Sequence, residues 1–569
     1  MNEQLADLSS RFWEVALTNS PMWASLLGDH RFDAEVEDLS REHEDEVIEQ
    51  LDAIVASARA IDPAALERDD RITRHVLVSE AEGISGSLRS RTAEFLVDPM
   101  LGLHMDIIQG VPQLRAATGE QAWAFVEKAS KVGKPFDQAV ERHRQGVANG
   151  RTPPRVAVEK VIGQLDAFGR IGVEQNPFLQ IGLPDDWDDL QRARWKKAME
   201  EQVTKVVNPA FDRYRDAVAA DILPAARPPE KSGVCWLPDG EEIYRRAVKR
   251  YTSLDLDPRE IHRIGLDEIA ALEDEYRGLG GKVLGTNDVP VIYDRLRNDP
   301  ALRFKTAEEV HRAAEGALAR AREAIPDWFG RLPEAPCIVQ PVPDVGAADA
   351  TLAYYFPPAE DGSRPGIYFI NLSEPTTRTR FESETLAFHE SIPGHHLQMA
   401  IAQELEGVPA FRRNGNVTVY IEGWGLYTER LADEMGLYSG DLERMGILSF
   451  DSWRAGRLVV DTGLHALGWS RQQAIDYFVD NSPQALNNIA NEVDRYIGYI
   501  GQALAYKMGQ RELLRLRSEA KAAMGPRFDI KGFHDTVLEA GPVPLDLLGD
   551  LVRQWARRPK PTTHTPRRV

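Results

Sequence analysis

The segment HESIPGHHLQ, residues 389–398, limits the fold of this chain more than any other feature. In an unbroken helix, two residues six positions apart are separated by about 600° of rotation and roughly 9 Å of rise, so His389 and His395 would point to different faces. Pro393 cannot donate a backbone hydrogen bond, and Gly394 tolerates unusual dihedral angles. The sequence therefore predicts a bulge or short break that loops out about two residues and brings the two histidines together.

These two histidines and Glu422, on the next predicted helix, form a candidate metal site. Two imidazoles and one carboxylate are the protein ligands of many catalytic zinc sites, which keep a fourth position open for water. His396 is the competing ligand, but it lies roughly 10 Å from His389 along an ideal helix, too far to share one ion. The predicted metal ligands are therefore His389, His395 and Glu422, and the predicted cofactor is Zn²⁺.

Two further carboxylates are predicted to serve this site. Glu390 directly follows the first ligand, where it can take a proton from a zinc-activated water and pass it to a leaving amine. It is the predicted catalytic base. Glu429 lies two helical turns after Glu422 and is predicted to hydrogen-bond to a ligand imidazole, the alternative being a solvated charge on the helix surface.

A stripe of side chains at spacings of three and four follows further along the chain, at Arg454, Arg457, Asp461, His465 and Trp469. Residues at these spacings share one face of a helix. We expect Asp461 to pair with Arg457 and to orient His465 as a catalytic residue beside the substrate. The alternative is a buried ion pair that holds two helices together.

A second segment mixes hydrogen-bond donors with a basic residue that could hold a substrate carboxylate: Arg495, Tyr496, Gln502, Tyr506 and Lys507. Amide hydrolysis needs a donor where negative charge develops on the carbonyl oxygen, and Tyr506 is the preferred candidate. Tyr496 and His465 are the other candidates for that role. The alternative for Tyr506 is a core tyrosine with a satisfied hydroxyl.

The hydrophobic periodicity predicts a mainly helical chain with one small sheet. Helical spacing runs from Asn2 to about Gly330 and again from about 381 to 555, whereas short β-branched and aromatic runs lie between Cys337 and Leu372. Breaks are predicted at four Pro- or Gly-rich points, which are 153–154, 224–233, 278–281 and 333–336. The predicted division is a helical region at 1–335, a catalytic region at 336–555 and a basic, disordered tail at 556–569.

Composition limits the partners of the chain. The formal charge is −21, and because binding to phosphates requires clustered Lys and Arg, this excludes a general nucleic-acid-binding protein. The two cysteines, Cys235 and Cys337, lack the spacing of a thiolate metal site or a disulfide scaffold and favour a reducing cytoplasm. No signal-peptide pattern and no apolar run of about 18 to 20 residues is present, so we expect a soluble cytoplasmic protein without a membrane partner.

Several segments together resemble the DUF885 family, a bacterial group similar to the thimet-oligopeptidase and Taq-carboxypeptidase metallopeptidases. The most specific are HESIPGHHLQ, RAGRLVVDTGLHALGW at 454–469 and RYIGYIGQALAYKMG at 495–509. One departure is that Ile500 stands where the family pattern has proline before Gly-Gln-Ala. The resemblance implies a large two-lobed, neurolysin-like helical fold, a deep cleft with the small sheet at its edge, and gluzincin zinc chemistry.

The function predicted from these features is a zinc metallopeptidase that cleaves short peptides, with Glu390 as general base. The strand GIYFINL, residues 366–372, is expected to pair with an extended peptide as edge strands do. Three alternatives stay open: hydrolysis of a non-peptide amide, a metal-bearing protein without peptidase activity, and a non-haem iron oxygenase, which can use the same two-His-one-carboxylate donors. A homodimer is also left open.

Overall fold

Helices form most of this protein. The computed structural model describes residues 1–342, 351–359, 362 and 364–558. The first ten helices are α1 (Glu3–Asn19), α2 (Pro21–Leu27), α3 (Arg41–Ala60), α4 (Arg68–Arg89), α5 (Leu103–Met105), α6 (Gly119–Lys131), α7 (Gly133–Ala148), α8 (Arg155–Phe168), α9 (Asp189–Gln202) and α10 (Asn208–Ala217). Four more precede the sheet: α11 (Gly240–Thr252), α12 (Pro258–Val283), α13 (Val289–Asn298) and α14 (Ala307–Ala324).

The remaining helices follow the sheet and carry the candidate site. They are α15 (Arg380–Glu390), α16 (His395–Gln403), α17 (Ala410–Arg413), α18 (Thr418–Glu434), α19 (Asp441–His465), α20 (Arg471–Asn481), α21 (Leu486–Gly498), α22 (Ala505–Met524), α23 (Ile530–Leu538) and α24 (Leu545–Ala556). The prediction of a mainly helical chain with one small sheet is therefore confirmed.

The central helix of the site region is α19, which packs against α12, α15 and α20. Nearly every residue from Met445 to His465 is buried. A helix that is buried on all sides needs an apolar surface or paired polar groups around its whole circumference. Polar side chains on α19 must therefore find partners inside the protein, and they supply several residues of the site.

Three strands form the sheet, β1 (Cys337–Pro341), β2 (Ala353–Phe356) and β3 (Gly366–Ile370), in the order β1-β3-β2. β3 pairs with β1 in parallel, from Cys337 opposite Gly366, and with β2 in antiparallel register, from Phe356 opposite Ile367. The prediction that GIYFINL pairs with a substrate is therefore wrong, because both sides of β3 already carry strands.

One of the four predicted helix breaks is also wrong. α12 continues through Gly278 and Gly281 to Val283. Glycine disfavours a helix by about 1 kcal/mol relative to alanine, but packing can outweigh this. Gly280 faces Ile292 of α13 so closely that a Cβ would lie 2.3 Å from its Cδ1. Gly280 therefore permits close packing of two helices, whereas a Cβ on Gly278 or Gly281 would meet nothing within 4 Å.

Two large hydrophobic clusters make up most of the core. The larger joins α1, α3 and α4 to the helices after the sheet, and the other collects residues between Met22 and Ala226. The proposed boundary between 335 and 336 stays a prediction. Of the predicted basic tail, residues 559–569 lie outside the described part of the chain. Within the described ranges, no helix is both long and apolar enough to cross a membrane.

Candidate metal centre

A break at residues 391–394 separates the two predicted histidine ligands. α15 ends at Glu390 and α16 begins at His395. Ser391 (φ −108°, ψ −113°) and Gly394 (φ −78°, ψ −128°) both lie outside the helical region. The break predicted at Pro393 and Gly394 is confirmed, and it is longer than the two residues that the sequence suggested.

Close contacts hold this break in place. A Cβ on Gly394 would lie 1.9 Å from the carbonyl oxygen of His389, so only glycine fits at this position. The indole Nε1 of Trp424 donates a hydrogen bond of 3.0 Å to the carbonyl oxygen of Pro393. Because Trp424 lies two residues after Glu422, this bond ties the broken segment to the helix that carries the third ligand.

The three predicted ligands converge. Nε2 of His389 and Nε2 of His395 lie 3.7 Å and 3.6 Å from Oε2 of Glu422, and one ligand atom from each residue lies within 4.8 Å of the other two. These separations are close to the roughly 3 to 4 Å expected for atoms bonded about 2 Å from one ion. Two imidazole nitrogens and a carboxylate oxygen therefore fit one divalent transition metal.

The second ring nitrogen of His389 is held by Glu429. Nδ1 of His389 lies 2.8 Å from Oε1 of Glu429, and both side chains are buried. Burial lowers the pKa of His389, but the hydrogen bonds to Glu422 and Glu429 outweigh this effect and raise that pKa to about 9. Burial raises the pKa of Glu422, yet the two histidines hold it well below its ordinary value. Glu429 thus orients His389 so that Nε2 faces the other ligands, as predicted from the helical spacing.

We predict that Glu429→Gln lowers zinc affinity by about 10-fold, since the amide removes the charge that fixes the imidazole and makes it a better ligand. Competition with a fluorescent zinc chelator would measure the change. Glu434→Gln is the matched control, because this residue lies on the same helix with a side chain that is 46% exposed. Equal affinities for wild type and Glu429→Gln would show that the contact is only structural.

Glu390 lies beside these ligands. Burial raises the pKa of its carboxyl group, and the nearby charges of His395 and His389 oppose the rise. Among the described residues, no hydrogen bond contributes to that pKa. A carboxylate with a raised pKa and no fixed partner can accept a proton and release it again.

His396 points away from the ligand cluster. Its Nδ1 lies 2.9 Å from the hydroxyl of Tyr355 in β2, and its Nε2 lies 3.1 Å from the carbonyl oxygen of Ala335. Burial lowers the pKa of His396 to about 4. A neutral ring that donates from Nε2 and accepts at Nδ1 satisfies both contacts, so His396 connects α16 to the sheet and has no nitrogen left for a metal.

Space for the His389 ring is provided by Gly425 on α18. A Cβ at this position would lie 2.7 Å from Cε1 of His389. We predict that Gly425→Ala lowers the free energy of unfolding by about 1 to 3 kcal/mol through overpacking, although alanine favours the helix itself.

Gly163→Ala on α8 is the control, because its new Cβ would meet nothing within 4 Å. This variant should be unchanged or up to about 1 kcal/mol more stable. Urea denaturation of both variants would measure the difference. A Gly425→Ala protein as stable as Gly163→Ala would contradict the packing described for His389.

A family model described as bacterial protein of unknown function (DUF885) matches residues 21–552. The chain belongs to the DUF885 family. Among curated proteins, no sequence matches it. The resemblance to this family seen in the sequence is thereby confirmed, whereas the cytoplasmic location stays a prediction.

Two solved structures resemble this DUF885 protein along nearly its whole length. One, from Colwellia psychrerythraea, is described as a "putative lipoprotein"; it is 27% identical, with a TM-score of 0.89, and the match covers 98% of this chain and 100% of that chain. The other, described as a "putative lipoprotein of unknown function" from Shewanella oneidensis, is 17% identical, with a TM-score of 0.73 and coverage of 96% and 99%. Both comparisons support the mainly helical fold.

Several predicted substrate-binding residues of this DUF885 protein form one buried network. Nε of Arg457 donates to the hydroxyl of Tyr496 (2.8 Å), and its Nη2 contacts Glu492 (3.0 Å). Arg495 contacts Glu492 (3.3 Å) and Gln502 (3.2 Å). Glu492 was not predicted from the sequence. It lies three residues before Arg495 and four before Tyr496, a spacing that places all three on one face of a helix.

This network, which we call the arginine cluster, consists of Arg454, Arg457 and Arg495 with Glu492. Burial lowers the pKa of Arg495, but the charge of Glu492 and, less strongly, that of Glu422 raise it above its ordinary value. The arginine cluster therefore lies within electrostatic reach of the ligand Glu422.

Tyr506 joins the arginine cluster through its ring and hydroxyl. Its ring centroid lies 4.4 Å from the guanidinium carbon of Arg457, and its hydroxyl lies 3.5 Å from Nε2 of Gln502. The hydroxyl of Tyr496, by contrast, already contacts Trp453, Arg457 and Glu492. Tyr506 is thus less constrained than Tyr496 as a donor to substrate, and its role stays a prediction.

The predicted pairing of Asp461 with Arg457 is wrong. Asp461 instead accepts hydrogen bonds from the hydroxyl of Tyr244 (2.6 Å) and the backbone N–H of Gly501 (3.2 Å). Burial raises the pKa of Asp461 to about 7. It therefore anchors two distant segments to α19.

The predicted catalytic role of His465 does not fit its contacts. Its Nδ1 accepts from the backbone N–H of Val234 (3.2 Å), and its Nε2 donates to the carbonyl oxygen of Tyr496 (2.9 Å). Burial lowers the pKa of His465 to about 4. With both ring nitrogens bound to backbone groups and no exposed surface, His465 is a structural residue.

Lys507 also differs from its predicted use. Its Nζ contacts Asp451 (2.6 Å), Gln510 (2.8 Å) and Glu268 (3.3 Å), and the residue is 2% exposed. Its charge is therefore neutralised within the protein. A substrate carboxylate would have to be bound by other cations of the site.

Proposed function

We propose that this protein is a zinc-dependent hydrolase, and specifically a metallopeptidase that cleaves short peptides. The observation that carries the proposal is the convergence of His389, His395 and Glu422 beside the half-buried Glu390. Three protein ligands with room for a water are typical of catalytic zinc sites, whereas structural sites fill all four positions. The exposed fractions of His395 (11%) and Glu422 (19%) support access from solvent.

Zinc held by these ligands would supply a water of lowered pKa and polarise the substrate carbonyl. In this proposal Glu390 accepts the proton of the attacking water and then transfers it to the leaving nitrogen, so that both proton steps use one carboxylate. Glu429 keeps the imidazole of His389 oriented throughout. The hydroxyl of Tyr506 donates a hydrogen bond to the substrate oxygen on which negative charge develops.

The peptidase part of the proposal also includes the overall architecture. We propose a two-lobed arrangement similar to that of neurolysin, with a deep cleft that admits short peptides and excludes folded proteins. In this arrangement the sheet contributes to substrate binding through one of its outer strands, since β3 is paired on both sides. Support comes from the mainly helical fold and from the position of β2, whose Tyr355 contacts the metal-binding segment through His396.

Metal analysis and peptide hydrolysis test this function directly. The purified protein should contain about one zinc ion per chain and cleave members of a short-peptide library, as read by mass spectrometry. A chelator should stop cleavage, and added zinc should restore it. Iron in place of zinc, or a zinc-loaded protein that leaves every peptide intact, would contradict the proposal.

A further inference from the structure

Arg454 on α19 is a buried cation that has no anionic partner in the described part of the chain. The residue is 5% exposed, and its guanidinium carbon lies 4.3 Å, 4.5 Å and 5.9 Å from the ring centroids of Phe450, Trp453 and Tyr506. Its Nε and Nη1 atoms are buried and have no hydrogen-bond partner among the residues that the structure describes. Within the described ranges, no carboxylate lies at ion-pair distance from it. Aromatic faces stabilise a cation, but they do not satisfy its N–H groups.

The neighbouring arginines have unused donors as well. Nη1 of Arg457 and Nε of Arg495 are also buried and form no hydrogen bond to any described residue. Both residues share one carboxylate, that of Glu492. Buried charges are normally paired and hydrogen-bonded, because desolvation is costly otherwise. Arg457 and Arg495 share this one carboxylate, and Arg454 has none at ion-pair distance within the described ranges, so the arginine cluster has an excess of positive charge and of N–H groups.

The helix that carries Arg454, α19, packs against α15, which carries His389 and Glu390, so this excess lies within electrostatic reach of the candidate metal centre. Burial raises the pKa of Glu390, and the positive charge of Arg454 is among those that oppose the rise. Burial lowers the pKa of Arg454, while the charge of Glu429 raises it. Glu422 and Glu429 are themselves directed at the ligand histidines. None of these acids takes the unused donors of the arginine cluster.

We propose that Arg454, supported by Arg457 and Arg495, binds a carboxylate of the substrate next to the scissile bond. The inference rests on the proposed hydrolase function and names its substrate class, which is peptides with a negative charge close to the cleaved position. A planar guanidinium presents parallel N–H groups that match a carboxylate. That carboxylate belongs either to the C-terminus of a short peptide or to an Asp or Glu side chain, and the two sources can be separated.

The test measures binding without turnover. Zinc-loaded Glu390→Gln protein is mixed with two libraries of N-acetylated tripeptides, one with C-terminal acids and one with C-terminal amides. Peptides that co-elute with the protein in size exclusion are identified by mass spectrometry. We expect acids to be retained at least about tenfold more than amides, since hydrogen bonds to charged groups are worth more than neutral ones.

Two variants in the same background sharpen the test. Arg454→Met should abolish the preference for acids. Arg444→Met should keep it, because Arg444 lies on the same helix but is paired with Asp433 and Asp441 and is 39% exposed. If Arg454→Met does not fold, as judged by circular dichroism, the comparison of acids with amides still tests whether the site binds a substrate carboxylate.

Each outcome is informative. Retention of the acid library points to the C-terminal carboxylate, and retention of only those amides that contain Asp or Glu points to a side chain. Retention that ignores charge, or no retention of either library, overturns the proposal. Hydrolysis of the same libraries by wild type is scored separately. Charge-selective binding without hydrolysis would contradict the hydrolase function and support the anion site. Hydrolysis without charge selectivity would support the hydrolase function and contradict the anion site.

Discussion

Replacing Glu390 with glutamine should lower the turnover number by about 10²- to 10⁴-fold while the protein keeps its zinc. Glutamine has the shape of glutamate but cannot accept the proton of a water or return it to a leaving nitrogen. The metal ligands stay unchanged, since Glu390 is not among the three residues that converge. Steady-state kinetics on a peptide that the wild type cleaves, together with zinc content, would measure both effects.

Glu434→Gln is the control for this substitution. It makes the same change from carboxylate to amide at Glu434, the last residue of α18, which pairs with Arg517. Its kinetics should match those of the wild type. Full activity of Glu390→Gln would remove this residue from the mechanism, and loss of zinc in that variant would assign it a ligand role instead.

Replacement of His395 with alanine should remove bound zinc, whereas His396→Ala should retain it. The first change deletes one of three protein ligands, and we expect zinc affinity to fall by more than about 100-fold, because even residues that only support a ligand contribute 10- to 100-fold. The second change deletes a ring that contacts Tyr355 and Ala335. Zinc content after dialysis in buffered zinc would separate the two variants.

Stability provides the internal control for this pair. His396→Ala leaves the buried groups that contacted the ring without partners, which costs about 1 to 3 kcal/mol, so its melting temperature should fall although zinc stays bound. A folded His395→Ala protein with full zinc content, or a His396→Ala protein that has lost zinc but remains folded, would place the metal elsewhere.

The convergence of His389, His395 and Glu422 could be predicted because its constraints are local in sequence. The six-residue spacing of His389 and His395 is incompatible with a regular helix, and proline and glycine stand where a break resolves it. Glu429 followed from the helical repeat after Glu422. Each of these inferences needed only the geometry of one helix and its interruption.

Apart from the break predicted at 278–281, where α12 continues, the incorrect predictions concern contacts between distant segments. The periodicity placed Asp461 and His465 on one face of a helix, but it did not indicate which residues pack against that face. Their partners Tyr244 and Val234 are 217 and 231 residues away in sequence. Strand order is a similar case, since β3 lies between β1 and β2 although it follows both in the chain. Such pairings depend on the assembled core, and a single sequence does not encode them in any local pattern.

The contact between Tyr355 and His396 joins the sheet to α16, the helix that begins with the candidate ligand His395. His396 follows His395 directly, so a shift of β2 reaches the ligand through one hydrogen bond and one peptide unit. In the proposed peptidase, a peptide that lies along β2 would therefore act on the position of the His395 imidazole. On that proposal, substrate binding at the edge of the sheet and the geometry of the metal site are coupled through this contact.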